Sequence, residues 1–135
     1  MGSDSWGSAE TVALCGKDCY GLFFSTHYAA AGATGETKAF IDRYNKEYGY
    51  VPDDVAALTW DSLRIVQQAI QDCGTITGNL GKDRQCVRDA MARIKEFKGI
   101  TGQMTFTEDG DPIKCAVIVK ISDKGEYKFY KSVCP

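Results

Sequence analysis

Apolar residues recur at helical spacing in three stretches of the chain. The spacing predicts helices over about 36–48, 55–72 and 83–97, each with one apolar face. Gly49 is suited to end the first of these helices, and Ser8 is suited to cap the start of a shorter helix near the N-terminus. The helical part of the chain is therefore expected mainly in its middle.

Strand signals flank this helical part on both sides. A short aromatic run over 21–26 predicts a buried strand, and alternating apolar and polar residues over 103–107 predict a half-buried one. Residues 108–112 have the composition of a turn, and the chain ends in a predicted hairpin of 114–121 with 126–134. One early strand, a run of helices and several late strands make a poor self-contained α/β domain. The order of elements therefore indicates parts of a larger fold.

Composition narrows the function classes. The chain has 135 residues, 44% of them hydrophobic and 25% charged, which is typical of a globular protein that buries a core. Sixteen basic and eighteen acidic residues give a net charge of −2 without a basic run, so we expect no nucleic-acid partner. The first residues lack a basic segment followed by an apolar one, the pattern of a signal peptide. The expectation is a cytosolic protein, or a piece whose export signal lies elsewhere.

The six cysteines favour export. They form three neighbouring pairs, which predict disulfides in an oxidising compartment: Cys15 with Cys19, Cys73 with Cys86, and Cys115 with Cys134. If Lys124-Gly125 is a two-residue turn, the numbers of facing residues in the last hairpin sum to 249, which places Cys115 opposite Cys134.

Two alternatives exist for these cysteines. The first is free buried thiols. The second is a zinc site, which is disfavoured because the C-x3-C spacing lacks a second close Cys/His pair and His27 is the single histidine. We expect no metal and no cofactor.

Five motifs in order carry a resemblance to a known family. They are GSDSW at 2–6, GLFFSTHY at 21–28, the helix and turn from Thr37 to Asp53, AALTWD at 56–61, and GITGQMTFTEDGDP at 99–112. Together they resemble the C-terminal part of the type I periplasmic solute-binding proteins, in particular the branched-chain amino acid receptors of ABC transporters. The similarity extends over essentially the whole chain.

The resemblance implies an α/β fold. Members of the family have two lobes that close on a ligand, so the expectation is a partial type I periplasmic-binding-protein fold with pieces of both lobes: three helices, a crossover strand and a C-terminal β-hairpin. Residues 1–26 would form a second-lobe segment and the crossover, 27–98 a first-lobe helical segment, and 99–135 the second-lobe C-terminal strands. We expect self-association to complete the fold, since half-lobes leave sheet edges and apolar faces bare.

The resemblance also implies site residues. The acid of the GSDSW loop maps onto Asp4, which would pair with the α-ammonium of an amino-acid ligand. Ser3 lies in the same loop, and Trp6 would either wall the pocket or pack on its own lobe. Val55 stands where some members place an aromatic residue over the ligand side chain, and His27 lies near the hinge crossover.

Three functions are compared on this basis. The favoured one is a non-enzymatic, periplasmic or extracellular solute-binding receptor that takes an amino acid or similar small molecule and serves an ABC permease or a sensor. The second is an interaction module, a homodimer formed by exchange of the hinge strand or the hairpin. The third is an enzyme using the Cys15/Cys19 pair or His27 with an acid. We do not favour it, because neither a C-x-x-C redox motif nor a phosphate loop or nucleophile elbow is present.

Overall fold

The computed structural model describes residues 1–135 as a mixed α/β structure with four α-helices and two small antiparallel sheets. The helices are α1 (Ala9–Cys15), α2 (Gly35–Tyr48), α3 (Asp54–Cys73) and α4 (Leu80–Arg93). The strands are β1 (Phe23–Thr26), β2 (Phe97–Gly99), β3 (Gly102–Phe106), β4 (Pro112–Ile113), β5 (Ala116–Ile121) and β6 (Tyr127–Val133). Two 3₁₀ turns, Asp4–Gly7 and Gly16–Cys19, flank α1. None of the helices has the length and hydropathy that a bilayer crossing requires.

Local capping chemistry sets the helix boundaries. The Ser8 hydroxyl accepts a hydrogen bond from the Glu10 amide at the start of α1, and the Asp53 carboxylate accepts one from the Ala56 amide at the start of α3. Gly49, with φ of 81°, ends α2 in the left-handed conformation. The predicted boundaries of α1, α2 and α3 are confirmed within a residue or two.

The prediction for α4 is wrong at both ends. The Asn79 side chain accepts a hydrogen bond from the Lys82 amide, so α4 begins three residues earlier than predicted. The helix ends at Arg93, and Phe97, which fits the helical spacing, instead begins β2. Phe97 is buried as part of a strand that faces the helices, so its apolar character is explained without a longer helix.

The first sheet has the strand order β1-β5-β6. Its inner face carries a core of Cys19, Phe24, Val119 and Ile121, against which Trp6, Val12 and Tyr127 pack. The hydroxyl of Tyr127 lies 2.6 Å from the carbonyl oxygens of both Trp6 and Ser8, which ties β6 to the N-terminal segment. The N-terminal quarter of the chain and the C-terminal hairpin therefore form one packed unit.

The β5–β6 hairpin differs from the expected two-residue turn. Ser122 pairs with Glu126, which leaves Asp123, Lys124 and Gly125 in the turn, and Gly125 has a positive φ of 76°. A bulge between Ile118 and Val119 then shifts the register by one residue, so the outer half of the ladder pairs Ala116 with Val133. The predicted two-residue turn is therefore wrong. The predicted pairing, in which the numbers of facing residues sum to 249, holds for the half of the hairpin farther from the turn, from Ile118 to Ala116.

The second sheet has the order β2-β3-β4 and packs on α3 and α4. Ile65 and Ile94 from the helical segment form a core with Phe97 and Met104 from the sheet. Phe97, Met104 and Phe106 of β2 and β3 therefore pack against the helical segment. The strand predicted over 103–107 is confirmed as β3, and Met104 is buried with Phe106 packed against the same core, but Thr105 and Thr107 are half-buried rather than exposed, so the alternation is weaker than predicted.

Asp61 connects α3 to this second sheet. The carboxylate is 1% exposed and accepts hydrogen bonds from the Ile100 amide (2.9 Å), the Thr101 amide (2.9 Å) and the Thr101 hydroxyl (2.7 Å). Gly99 lies so close to this carboxylate that a side chain there would collide with it. Lys114 Nζ lies 2.8 Å from the Thr101 hydroxyl oxygen, and burial lowers the pKa of Lys114 against the opposing effect of the Asp61 charge.

All three predicted cysteine pairs are joined as disulfides, and no cysteine is free. The Cα–Cα distances are 5.8 Å for Cys15–Cys19, 5.8 Å for Cys73–Cys86 and 4.1 Å for Cys115–Cys134. The bridges fasten the 3₁₀ turn after α1, the connection between α3 and α4, and the open end of the last hairpin.

Candidate functional site

Three chain segments meet beside the first core: the Asp4–Gly7 turn, the end of β1 and the start of α3. The Thr26 hydroxyl at the end of β1 donates a hydrogen bond to Asp54 Oδ2 at the start of α3, at 3.3 Å. Gly7 lies against the same carboxylate, and a Cβ at this position would come within 2.9 Å of Asp54 Oδ1. Glycine therefore allows the turn to approach α3 closely.

The N-terminal segment is held against β1. The Gly2 amide donates to the Phe23 carbonyl at 2.8 Å, and the Gly2 carbonyl accepts from the Ser25 amide at 3.3 Å. The Trp6 ring packs over Gly2, where only glycine fits, and contacts the first core. The structure thus places Trp6 on its own packed unit, which is one of the two positions expected from the sequence.

Asp4 projects from this turn towards solvent with a side chain that is 60% exposed. Its Oδ2 atom lies 3.9 Å from Nε2 of His27, the residue that follows β1. Its Oδ1 atom accepts a hydrogen bond from the Ser5 amide at 3.0 Å, and Ser3 Oγ lies 2.8 Å from Ser5 Oγ. No lysine or arginine forms an ion pair with Asp4. The carboxylate is therefore positioned and available to a cationic group.

Val55 lies on the third of these segments, directly after Asp54, and is 66% exposed. The backbone thus brings the predicted site residues of all three segments to one junction: Ser3, Asp4, Trp6, His27 and Val55. Direct contact is present between Asp4 and His27, whereas the Trp6 side chain points into the core. The junction therefore carries an exposed acid, Asp4, on one segment and an exposed apolar residue, Val55, on another.

Two further residues lie at this junction, Asp54 and Tyr28, of which the sequence placed Tyr28, together with His27, near the hinge crossover. Asp54 was assigned only to a helix start, although two consecutive acids after a proline could have indicated a site. Tyr28 is 7% exposed, packs with Ala57 and Ile100, and has a buried hydroxyl without a hydrogen-bond partner. Burial and, to a smaller extent, the Asp53 charge raise the pKa of Tyr28 from 10.0 to about 12.

This shift predicts a loss of stability in alkaline solution. Between pH 10 and 12 the native state keeps the Tyr28 proton that the unfolded chain releases, so the free energy of unfolding falls as the pH rises through that window. A pKa difference of about two units between the native and unfolded states lowers the free energy of unfolding by up to about 3 kcal/mol once the pH exceeds both pKa values. Urea unfolding at pH 9, 10 and 11 should show a steeper decline for the wild type than for Tyr28→Phe. The difference between the two proteins cancels the contributions of Lys114 and of other titrating groups.

The Tyr28→Phe variant should be at least as stable as the wild type at pH 7, because it removes a buried hydroxyl that lacks a partner. Equal declines in both proteins between pH 9 and 11 would show that Tyr28 does not titrate in this way.

No group of three or more histidine, cysteine, aspartate or glutamate side chains is arranged to hold a metal ion. The cysteines are joined in disulfides, and the one histidine of the site, His27, has its Nε2 atom 3.9 Å from Oδ2 of Asp4.

Comparisons with known proteins bear on the family and the fold of the chain. The family described as periplasmic binding protein matches residues 2–126. No curated protein sequence matches the chain.

Solved structures resemble this one closely. A leucine binding protein, LivK from Thermotoga maritima, is 26% identical with a TM-score of 0.86, over 98% of this chain and 36% of that protein. The branched-chain amino acid transporter substrate binding protein LivJ from Streptococcus pneumoniae, solved with isoleucine, is 26% identical with a TM-score of 0.81, over 99% of this chain and 36% of that protein. A benzoate-bound solute binding protein of an ABC transporter from R. palustris shares the fold at 20% identity and a TM-score of 0.73, over 91% of this chain and 32% of that protein. The chain thus spans about 36% of the length of the first two proteins.

Proposed function

The chain belongs to the periplasmic binding protein family, and we propose that it supplies the ammonium-binding wall of a cleft for an amino acid. Its fold corresponds to part of the type I periplasmic-binding-protein fold. The observation that carries the proposal is the exposed Asp4 carboxylate, held on a fixed turn at the junction of the chain's two packed units and free of any lysine or arginine.

The electrostatics of this wall suit an α-amino acid. An exposed carboxylate accepts a charge-assisted hydrogen bond from an ammonium group, which sets the orientation of the ligand. Val55, exposed at the start of α3, offers apolar surface for an aliphatic side chain. Proteins of the same family with 26% identity to this chain are named as leucine-binding and branched-chain amino acid-binding, which supports a small aliphatic amino acid as the ligand.

Three disulfides in a chain of 135 residues support an extracytoplasmic location, since reducing compartments do not maintain such bonds. The protein would then present its ligand to an ABC permease or to a sensor, as receptors that serve transporters do.

Titration of the oxidised chain with leucine, followed by amide NMR shifts, tests the proposal. We expect saturable shifts at Asp4, His27 and Val55, and a loss of affinity of about tenfold or more in Asp4→Asn, because a charge-assisted hydrogen bond is lost. Asp109→Asn, a change of the same charge in an exposed turn, should bind as the wild type does. The proposal fails if leucine causes no saturable shift or if Asp4→Asn binds equally well.

A matched ligand separates the ammonium contact from apolar binding. 4-Methylpentanoate is leucine without its ammonium group, so it should bind the wild type no more tightly than it binds Asp4→Asn. A larger loss for 4-methylpentanoate than for leucine would contradict the role assigned to Asp4.

A second candidate function, self-association, has its own supporting observation. Helix α3 buries Ala57, Asp61, Ile65 and Ala69 on one side, yet Leu63, Val66 and Ile70 form an exposed apolar stripe on the opposite side. A helix that is apolar on two sides is typical of an interior layer. We propose that this stripe, with Leu63 64% exposed, contacts a second copy of the chain.

Light scattering after size exclusion would measure this association. The wild type should form a dimer whose share rises with concentration, and Leu63→Asp should remain monomeric. Gln68→Asp, at an exposed polar position of the same helix, should dimerise as the wild type does. A wild type that stays monomeric at high concentration rules out the proposal.

A further inference from the structure

The residue beside the proposed ammonium contact is a histidine, the side-chain type that changes its charge near neutral pH. His27 is the only histidine of the chain and directly follows β1. Its Nε2 atom lies 3.9 Å from Oδ2 of Asp4, the carboxylate to which the proposed function assigns the ligand ammonium. Both side chains are partly open to solvent, 43% for His27 and 60% for Asp4. A change of charge on His27 therefore acts directly on the ammonium-binding wall.

The other ring nitrogen of His27 indicates that the ring is placed as a neutral imidazole. Nδ1 is buried and has no hydrogen-bond partner. A proton on Nδ1 would be a buried donor without an acceptor, so the neutral ring carries its proton on Nε2, the atom that faces Asp4. With His27 neutral, Asp4 keeps its full negative charge for a ligand.

The charged groups around His27 favour its protonation once the pH falls. Asp4 is the acid within ion-pair distance of the ring, and Asp53 and Asp54 lie at the neighbouring start of α3. No lysine or arginine forms an ion pair with any of these three acids. Strand β5 adds no charge opposite the last two residues of β1, where it places Ile118 and Val117.

We propose that His27 is a pH switch that closes the ammonium-binding wall in acid, an inference that rests on the proposed function. As the pH falls through the range in which histidines titrate, from about 8 to 5, the ring gains a second proton. The imidazolium then neutralises Asp4 and repels the ligand ammonium. The new proton on Nδ1 has no acceptor where the ring lies, so the charged ring should turn outwards towards Asp4.

The first test compares the leucine affinity of the oxidised full chain at pH 7.5 and pH 5, measured by amide NMR shifts. Leucine is a zwitterion at both pH values, and aspartates are largely ionised at both. The wild type should bind leucine about fivefold more weakly at pH 5, a change in the range of one partly exposed ion pair. His27→Gln cannot be protonated, so its affinity should change much less between the two pH values. An equal change in both proteins would overturn the proposal.

A matched ligand excludes the opposite role for the imidazolium. Leucine also carries a carboxylate, which a charged His27 could attract rather than repel. 3-Methylbutylammonium is leucine without this carboxylate, and it should show the same weakening at pH 5 in the wild type. A tighter binding of leucine at pH 5 would overturn the switch, because the imidazolium would then contact the ligand carboxylate.

A measurement without ligand tests the pairing of His27 with Asp4. Because the chain has a single histidine, one imidazole signal in the NMR spectrum reports its protonation. The midpoint of this titration should lie at lower pH in Asp4→Asn than in the wild type, since the variant lacks the charge that favours the imidazolium. Identical midpoints would overturn the switch.

These experiments separate the switch from the function on which it rests. Leucine that binds equally tightly at pH 7.5 and pH 5 overturns the switch and leaves the assignment of Asp4 intact. An absence of saturable leucine binding at pH 7.5 refutes the proposed function, and the switch with it.

Discussion

Replacing Asp61 with asparagine should lower the free energy of unfolding by about 3 kcal/mol or more, one of the two largest effects expected for this chain. Both carboxylate oxygens accept hydrogen bonds: Oδ1 from the Ile100 amide, and Oδ2 from the Thr101 amide and hydroxyl. Asparagine has the same size but must place an NH₂ group against at least one of these donors. A buried donor then faces another donor, and the negative charge that strengthened all three bonds is lost.

Urea unfolding at pH 7, followed by circular dichroism, measures this effect as a shift in midpoint at an unchanged m-value. The control is Asp72→Asn, a change of equal charge at an exposed position of the same helix, which should shift the free energy by no more than about 0.5 kcal/mol. Similar midpoints for the two variants would show that Asp61 does not hold α3 to the second sheet.

The Asp61 contacts also show where sequence reasoning stops. The helix that carries Asp61 was predicted with nearly correct ends, because its apolar spacing and its Asp53 cap are local signals. The partners of Asp61 lie 39 and 40 residues away along the chain, and no local pattern identifies them. The AALTWD motif contributed to the family resemblance without revealing that its aspartate is a structural acceptor.

Strands β2 and β4 were missed for a related reason. They have three and two residues, too few for alternation to be visible, and they exist because β3 pairs with both of them. Phe97 fits both a helical and a strand pattern. Tertiary packing against Ile65 and Ile94 decides between the two.

In the last hairpin, the Cys115–Cys134 disulfide was predicted correctly although the turn was predicted with the wrong length. A three-residue turn alone would shift every facing pair by one residue and would leave Cys115 and Cys134 out of line. The bulge between Ile118 and Val119 shifts the pairing back, so that Ala116 faces Val133 and the cysteines beyond them meet. The disulfide was predicted correctly because the register shift from the three-residue turn and the opposite shift from the bulge cancel. The sequence reveals neither shift.

The residues of the candidate site could be predicted only from the sequence motifs that resemble the family. Asp4 has no feature that distinguishes it from other exposed turn acids, and the family resemblance alone selected it. The structure adds the physical context, in which Gly2 and Trp6 fix the turn and His27 faces the carboxylate.

Removing the Cys115–Cys134 bridge should produce the second large effect, a loss of about 3 kcal/mol from the free energy of unfolding, since the bond closes a loop with a sequence separation of 19. The loss should be local as well as global. Strand β6 lies at the edge of its sheet and its last six residues are exposed, so beyond Tyr127, whose hydroxyl contacts the N-terminal segment, the bridge and one ladder of hydrogen bonds hold it. Urea unfolding and amide hydrogen exchange of Cys115→Ala/Cys134→Ala should show the lower stability and rapid exchange along β6.

The control is Cys73→Ala/Cys86→Ala, which removes a bridge with a sequence separation of 13. This variant should lose a similar free energy of unfolding while the amides of β6 stay protected from exchange. Retained protection of β6 in the first variant would mean that the strand pairing, rather than the disulfide, fixes the end of the chain.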